Sequence, residues 1–272
     1  ISHYTSLVTC GRKAKLSKEA AAKGIHGGTP EMKAGTFFHA FLARYYASGA
    51  FDPDVLLDHE QIEAAPHLDP YTNLDAWQIA VRCFKAYTVR FDRGELGTTQ
   101  GIELVLPRRP PVASPSETVL VEAAVGISPF TCGIDLAIKL TAKQAARLKL
   151  TRGVVIDPGY YIVDHKLEAA RRQNTHDRYL GSLQLKAYML AWNAAFPKKK
   201  ASGALASLTF KLKTPDFLTV VVPPPSPADE AVLASFFKGA VVLAEHLLDW
   251  PNPTACYFPT TCSFLHRGCN RF

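Results

Sequence analysis

The spacing of apolar residues predicts two helices in the first third of the chain. From Ala34 to Ala47, aromatic and aliphatic residues recur at intervals of three and four, and a second such pattern runs from about Leu74 to Phe91. This spacing places the apolar side chains on one face of a helix. From Pro107 to Pro115, prolines and arginines interrupt the pattern, which predicts an exposed loop.

Beyond this loop the apolar spacing changes to the two-residue period of strands, and helical spacing returns later. The predicted strands are Thr118 to Ile127, Thr131 to Leu140, Tyr160 to Lys166, Ala204 to Lys211 and Phe217 to Val222. The predicted helices are Arg178 to Phe196 and a last one that starts near Pro227 and Asp229 and ends near Asp249. The basic segment 141–157 looks like an insertion between two strands.

The order of these elements predicts an α/β fold with a mixed sheet flanked by helices, in the order α-β-β-β-α-β. Successive strands favour antiparallel pairing, whereas the helix that follows the third strand allows a parallel crossover. The 272 residues are close to the upper size of a single domain. We therefore expect one domain over residues 1–272, with the two chain ends as appendages.

The charge of the chain favours a polyanionic partner. The formal net charge is +7, with basic clusters at Arg108–Arg109, Arg171–Arg172 and Lys198–Lys200. A solvated basic face is the plainer explanation of any one cluster. We find neither an apolar run long enough to span a membrane nor a signal peptide, so we expect a cytoplasmic protein with no membrane partner.

Two predicted strands carry charged residues at positions that suit chemistry. Asp135 lies within the mostly apolar stretch CGIDLAIKL, where a carboxylate is costly unless it is paired or binds a metal. Asp164 and Lys166 are two residues apart on a later strand, so both side chains point to the same face. A surface ion pair explains most such pairs of residues taken alone.

If the two strands pair, Asp135 and Asp164 approach closely enough to share a cation. Carboxylate oxygens suit Mg²⁺ or Mn²⁺, which bind phosphate oxygens as well. Lys166 beside them is suited to orient a water molecule or to neutralise developing negative charge. Gln184 and Tyr188 share one helix face and can brace the lysine or bind a phosphate backbone.

These residues resemble the motifs of the PD-(D/E)xK nuclease superfamily, in particular its RecB-like branch of CRISPR-associated and phage exonucleases. The motifs occur in the family's order over most of the chain, on the expected helices and strands. They are Gly35 to His39 (GxxxH), Gly133 to Asp135 (GxD), Asp164 to Lys166 (DxK) and Gln184 to Tyr188 (QxxxY). The resemblance implies a restriction-endonuclease-like core.

The resemblance also implies roles for individual residues. His39, Asp135, Asp164 and the backbone carbonyl of His165 would bind the metal, and Lys166 would be the catalytic lysine. The implied activity is metal-dependent DNA hydrolysis, as an exonuclease on single strands or DNA ends, in recombination, repair or CRISPR adaptation and with proteins of those processes as partners. Leu167 departs from the small hydroxyl residue that often follows the family lysine. Glu122 is a weaker candidate that would contact the metal through water, and Glu103 and Glu117 fit the same description.

The cysteines are the second candidate site. Of six cysteines, Cys256, Cys262 and Cys269 are close together near one end of the chain, and Cys10 lies near the other. Several RecB-like exonucleases hold a 4Fe-4S cluster with one amino-terminal and three carboxy-terminal cysteines, and this arrangement is similar to theirs. The resemblance implies that Cys10 and the carboxy-terminal tail 250–272 are joined by the cluster, which would hold the two chain ends together. Zinc, with His266 as a possible ligand, and unliganded thiols in an exposed tail remain alternatives.

Two functions of other classes stay open at this point. A catalytically silent nucleic-acid-binding module on the same fold would keep the basic surface without hydrolysis. The other is an assembly protein that acts through partner proteins and is held together by a metal bound to its cysteines. It would depend on the cysteines and not on Asp164.

Overall fold

The computed structural model describes residues 30–48, 73–91, 98–108, 130–148 and 156–235. The chain divides into two compact units, one formed by Gly28–Leu106 and Cys132–Pro225, the other by Ile1–Gly27, Pro107–Thr131 and Ser226–Phe272. Nearly all described residues belong to the first unit. The expectation of a single domain stays a prediction.

The described helices and strands follow one another as two helices, two strands, a short helix, a strand, two helices and two strands. They are α1 (Pro30–Ser48), α2 (Leu74–Arg90), β1 (Thr98–Arg108), β2 (Phe130–Leu140), α3 (Ala142–Leu148), β3 (Gly159–Glu168), α4 (Thr175–Leu180), α5 (Leu183–Ala195), β4 (Ala201–Phe210) and β5 (Asp216–Val222). Residues 227–235, in the second unit, are helical. Ser226 and Asp229 cap that helix reciprocally, at the start that the sequence predicts.

The five strands form one mixed sheet in the order β1-β2-β3-β4-β5. Strand β2 pairs antiparallel with β3, β3 pairs parallel with β4, and β4 pairs antiparallel with β5. The parallel connection passes through α4 and α5, as a parallel pair requires. The prediction of a mixed sheet flanked by helices is confirmed.

Strand β3 lies in the middle of the sheet and separates two apolar clusters. Val163 belongs to a cluster with the aromatic residues of α1 and α2, among them Phe38 and Tyr87. Ile162 belongs to a cluster with the apolar side of α5, including Met189 and Trp192. Because successive residues of a strand point to opposite faces, β3 presents one side chain in two to each cluster.

Helices α1 and α2 pack through aromatic rings. The Trp77 ring meets Phe37 and Phe41 edge-on, with centroid distances of 5.2 and 4.9 Å. Phe41 also meets Phe84 of α2 at 5.7 Å. These edge-to-face contacts fix α1 against α2, and α1 is the helix that carries His39.

The prediction of one helix from Arg178 to Phe196 is wrong, because the chain forms two helices there. Helix α4 ends at Leu180 and α5 begins at Leu183. Ser182 is the N-cap of α5, and its hydroxyl accepts a hydrogen bond from the Leu185 N–H at 3.3 Å. The apolar pattern continues across both helices, so periodicity alone does not reveal the Gly181–Ser182 break.

The insertion predicted at 141–157 contains a short helix, α3. Thr141 and Gln144 cap it reciprocally: the Thr141 hydroxyl accepts from the Gln144 N–H at 3.3 Å, and the Gln144 side chain accepts from the Thr141 N–H at 2.9 Å. This Thr-x-x-Gln sequence is a capping box and was readable in the sequence.

The sheet contains a strand that the sequence pattern did not predict. Strand β1 is Thr98–Arg108 and overlaps the start of the loop expected at Pro107 to Pro115. A proline is tolerated at the edge of a sheet, and β1 is the first strand in the sheet order. The strand predicted from Thr118 to Ile127, together with Glu122, lies outside the described residues.

Within the described part of the chain, no helix is long and apolar enough to cross a membrane.

Candidate active site

Asp135 connects strand β2 to both β3 and helix α1. At this end of the β2–β3 pairing Leu136 lies opposite Val163, and Asp135 comes directly before Leu136 in the chain. Its Oδ2 accepts the backbone N–H of His165 at 2.8 Å and lies 3.3 Å from Nδ1 of His39. The side chain thus takes the place of a strand partner and brings the β2 carboxylate, the α1 imidazole and β3 together.

The pKa of Asp135 is lowered, so this carboxylate is ionised at neutral pH. Burial opposes ionisation, but the hydrogen bond and charge of His39 and the hydrogen bond from the His165 N–H outweigh it. A small pocket beside Asp135 is lined by His39, Leu42, Ala43, Tyr46, Leu136 and His165.

Asp164 and Lys166 form an ion pair on one face of β3. The Lys166 Nζ donates to Asp164 Oδ1 at 2.9 Å, and the Asp164 side chain is only 4% exposed, compared with 30% for Lys166. Burial raises the pKa of Asp164, and the nearby negative charge of Asp135 adds to that effect. For Lys166, burial lowers the pKa, but the Asp164 carboxylate outweighs it and the pKa is raised.

These electrostatic effects mean that Asp135, Asp164 and Lys166, the three predicted catalytic groups, lie close enough for their charges to interact. Asp135 raises the pKa of Asp164 and also contributes to the raised pKa of Lys166. Two carboxylates that influence each other in a largely buried site destabilise each other's ionised form. The site is therefore suited to an additional positive charge.

Gln184 and Tyr188 lie on the first turns of α5, at the border of this site. The Gln184 Nε2 donates to the Tyr188 hydroxyl at 2.6 Å. Burial raises the pKa of Tyr188, and the charges of Asp164 and Lys166 also act on it. The expectation that this pair lies beside the lysine agrees with these interactions, while its catalytic role stays a prediction.

The His165 side chain points away from Asp164 and Lys166. Its ring is 2% exposed, stacks on Tyr46 at a centroid distance of 6.0 Å and meets Tyr87 edge-on at 5.6 Å. Neither ring nitrogen has a hydrogen-bond partner among the described residues. Burial lowers the pKa of His165 to about 4, so the imidazole is neutral at neutral pH. The metal role expected for its carbonyl stays a prediction.

The donor atoms fit a hard divalent cation in kind. Carboxylates from Asp135 and Asp164 and an imidazole from His39 are ligands that suit Mg²⁺ or, with the nitrogen donor, Mn²⁺. In the described ranges, however, no three His, Cys, Asp or Glu side chains already converge as ligands of one ion. Asp135 contacts His39 through Oδ2, and Asp164 contacts Lys166 through Oδ1.

The structure adds a polar group that the sequence analysis missed. Glu168 Oε1 accepts from Arg178 Nη2 at 2.6 Å and from the Tyr179 hydroxyl. Glu168 follows Lys166 by two residues, so the strand period was a signal for its position on the same face. Its partners on α4 were not predictable from spacing.

The remaining candidates, Cys10, Cys256, Cys262 and Cys269, lie outside the described residues. Cys83, within them, is a buried free thiol, as its apolar surroundings in the sequence suggest.

The family model described as "PD-(D/E)XK nuclease superfamily" matches residues 1–267. The chain belongs to this superfamily. Its members typically use Mg²⁺ or Mn²⁺, in keeping with the donor types of the site. No curated protein matches the chain.

Among solved structures, the chain is similar to the crystal structure of a candidate exonuclease from Eubacterium rectale. The two share 9% sequence identity with a TM-score of 0.51, over 93% of this chain and 83% of that chain. At this identity the likeness concerns the fold, and it supports the predicted restriction-endonuclease-like core. The RecB-like branch is a finer assignment that neither comparison makes.

Proposed function

We propose that the protein is a divalent-metal-dependent deoxyribonuclease that hydrolyses phosphodiester bonds. The observation that carries the proposal is the convergence of Asp135, Asp164 and Lys166 from two strands. Membership of a nuclease superfamily supports the reaction class, and the donor set supports the cofactor.

The resemblance of the motifs to the superfamily suggests a role for each residue, and the contacts of Asp135 and Asp164 support it. Asp135, Asp164 and His39 would hold Mg²⁺ or Mn²⁺, with the carbonyl of His165 as a further ligand. A bound cation there activates water and offsets negative charge on the phosphate. Because the raised pKa of Lys166 keeps it cationic, its ammonium group is suited to orient the attacking water or to stabilise that charge. Gln184 and Tyr188 brace the lysine side of the site.

The substrate is DNA, acted on from an end or as a single strand. The net charge of +7 favours a polyanion, and the structural neighbour from E. rectale is named as a candidate exonuclease. The resemblance of the motifs to the RecB-like branch supports a setting in phage or bacterial recombination, repair or CRISPR adaptation, with proteins of those processes as partners.

The decisive experiment incubates the purified protein with end-labelled oligonucleotides and Mn²⁺, Mg²⁺ or EDTA. Single-stranded DNA, blunt duplex DNA and RNA of the same sequence are compared. We expect divalent-dependent shortening of DNA from an end, and loss of cleavage in Lys166→Ala. An RNA preference would correct the substrate, and internal cuts would correct the exonuclease assignment.

Two outcomes would replace the proposal by its alternatives, and one would change only the role of Lys166. Tight DNA binding without cleavage under any of these metals would indicate a silent binding module. Cleavage that persists in Lys166→Ala would remove the role given to this lysine. An assembly protein would be indicated if Cys262→Ala abolished folding and Asp164→Asn changed neither DNA binding nor cleavage.

For the cysteines we propose a 4Fe-4S cluster held by Cys10, Cys256, Cys262 and Cys269, with zinc as the alternative. Only the sequence supports this site. Anaerobic purification followed by a visible absorption spectrum and iron and zinc assays tests it. A colourless, iron-free protein with full activity would contradict the cluster.

A further inference from the structure

Glu168, Arg178 and Tyr179 form a cluster at the end of β3, next to the proposed active site. Glu168 lies two residues beyond Lys166 on the same strand face, which corresponds to roughly 6.6 Å along the strand. Tyr179 lies close enough to Asp164 for that carboxylate to help raise the Tyr179 pKa. The cluster therefore extends the row formed by Asp164 and Lys166.

Arg178 is held in one orientation by two contacts. Its Nη2 lies 2.6 Å from Glu168 Oε1, and its guanidinium carbon lies 4.7 Å from the centre of the Tyr179 ring. The Tyr179 hydroxyl donates to the same Glu168 oxygen, which fixes the ring in turn. Arginine side chains lose considerable rotamer freedom when they are fixed in this way.

The guanidinium group is fixed but not enclosed. The Arg178 side chain is 48% exposed, whereas that of Glu168 is 26% exposed. A guanidinium has five N–H donors, and among the described residues Glu168 engages the Nη2 end, which leaves the other donors for a ligand. An exposed ion pair of this kind contributes little to stability, on the order of 0–1 kcal/mol.

A fixed, exposed guanidinium beside a phosphodiester-cleaving site is suited to bind a phosphate. Its planar donors match two phosphate oxygens, and preorganisation by Glu168 and Tyr179 lowers the entropy lost on binding. Glu168 also sets a limit, because its carboxylate repels an anion that approaches from its own side. A phosphate must therefore meet the solvent-facing edge of Arg178.

We infer that Arg178 binds a backbone phosphate of the nucleic-acid substrate, adjacent to the phosphate that Lys166 faces, and that Glu168 and Tyr179 position it. This inference rests on the proposed nuclease function. Arg178 is thus a substrate-binding residue, and Glu168 and Tyr179 are positioning residues.

The test measures binding of a fluorescein-labelled single-stranded DNA oligonucleotide in EDTA over a series of KCl concentrations. Arg178→Gln should weaken binding roughly tenfold at low salt. It should also reduce the slope of log K against log salt by about 0.7, the value for one phosphate contact to a single strand. Arg178→Lys should restore the slope but only part of the affinity. Lysine keeps the positive charge but lacks the paired planar donors of the guanidinium group.

The matched control is Arg82→Gln, because Arg82 is also exposed but lies on α2, which packs on the other face of the sheet. It should change neither affinity nor slope by a comparable amount. Tyr179→Phe keeps the ring and should lower the cleavage rate with little change in slope. If Arg178→Gln binds DNA with the affinity and slope of Arg82→Gln, Arg178 only forms a structural ion pair and the inference is wrong.

Binding in EDTA separates this inference from the proposed function. A wild-type protein that binds DNA but cleaves nothing with Mn²⁺ or Mg²⁺ removes the proposed function, while the slope of Arg178→Gln still decides the inference. A wild type that does not bind DNA in EDTA overturns the inference, and one that also cleaves nothing with Mn²⁺ or Mg²⁺ overturns both. If Arg178→Gln does not fold by circular dichroism, Arg178→Ala and Arg178→Lys take its place, and an unchanged slope in the folded alanine variant overturns the inference.

Discussion

The two faces of strand β3 differ sharply, although their residues alternate along one short segment. One face carries Asp164 and Lys166, and the other carries Val163 and His165. Asp164 and His165 are both almost completely buried, at 3% and 2% exposure. The difference lies in how their polar atoms are satisfied: Asp164 is paired with Lys166, whereas the His165 ring is enclosed by Tyr46 and Tyr87 and has no hydrogen-bond partner among the described residues.

This comparison shows that burial alone does not separate a reactive group from a structural one. Burial disfavours charge on both faces, raising the pKa of Asp164 and lowering that of His165. On the Asp164 face, the neighbouring ammonium group of Lys166 stabilises the ionised carboxylate. On the His165 face, the surrounding aromatic rings favour the neutral imidazole. The following substitutions test whether the two faces are as independent as this division implies.

The largest effect is expected for Lys166→Met. Cleavage should fall by about 10²–10³-fold if the ammonium group stabilises developing charge. The free energy of unfolding should also fall, by about 1–3 kcal/mol, because the buried Asp164 carboxylate loses its partner. Cleavage assays and urea denaturation at pH 7 measure the two effects.

The double variant Asp164→Asn/Lys166→Met is the control. Since it removes both charges, stability should recover towards wild type while cleavage falls at least as far as in Lys166→Met. Stability that falls further in the double variant would show that the ion pair itself supports the fold, and the charged face would then be structural as well.

The next effect is expected on the other face, for Tyr87→Phe. The Tyr87 and Tyr46 hydroxyls share a buried hydrogen bond of 2.7 Å. Removing one partner should lower the free energy of unfolding by about 1–2 kcal/mol and leave the cleavage rate of the folded protein unchanged.

Tyr45→Phe serves as the comparison for Tyr87→Phe. Its hydroxyl donates to the Phe91 carbonyl over 3.4 Å, so its loss should cost less. A drop in the cleavage rate of folded Tyr87→Phe would show that packing on the His165 face of the sheet affects the active site.

A smaller effect of opposite sign is expected for His165→Phe. Phenylalanine keeps a ring between Tyr46 and Tyr87 and removes two buried nitrogen atoms that lack partners in the described structure. The free energy of unfolding should rise by about 1 kcal/mol. The backbone N–H that binds Asp135 is retained, so the Mn²⁺ concentration for half-maximal cleavage should not change. A large increase in that concentration would give the imidazole itself a role in metal binding.

The smallest effect is expected for Cys83, which belongs to the apolar cluster on the His165 face of the sheet. Burial raises its pKa to about 11, from 9.0. The folded state thus favours the neutral thiol, and its stabilising contribution is complete below pH 9 and is lost as the pH rises through 11. Iodoacetamide at pH 8.5 should leave Cys83 unmodified in the folded protein and modify it in urea, as measured by peptide mass spectrometry. Equal rates in both would contradict its burial.

Sequence patterns predicted most of the fold around the site. The α1 and α2 helices, strands β2 to β5 and the mixed sheet follow from apolar spacing and from the order of elements. Spacing failed where the apolar pattern ran on through a backbone break, as at Ser182 between α4 and α5. It also failed at β1, where Pro107 was read as the start of a loop although an edge strand can accommodate it.

The sequence by itself determined which chemical groups are available and which of them share a strand face, because a period of two residues fixes Asp164, Lys166 and Glu168 on one side. Only the tertiary structure decided that Asp135 reaches the His165 N–H and His39, and that Arg178 and Tyr179 meet Glu168. The Asp135 contacts join segments far apart in the chain, and the Glu168 contacts join β3 to the helix that follows it. They depend on how the strands and helices pack, which residue spacing within one element does not specify.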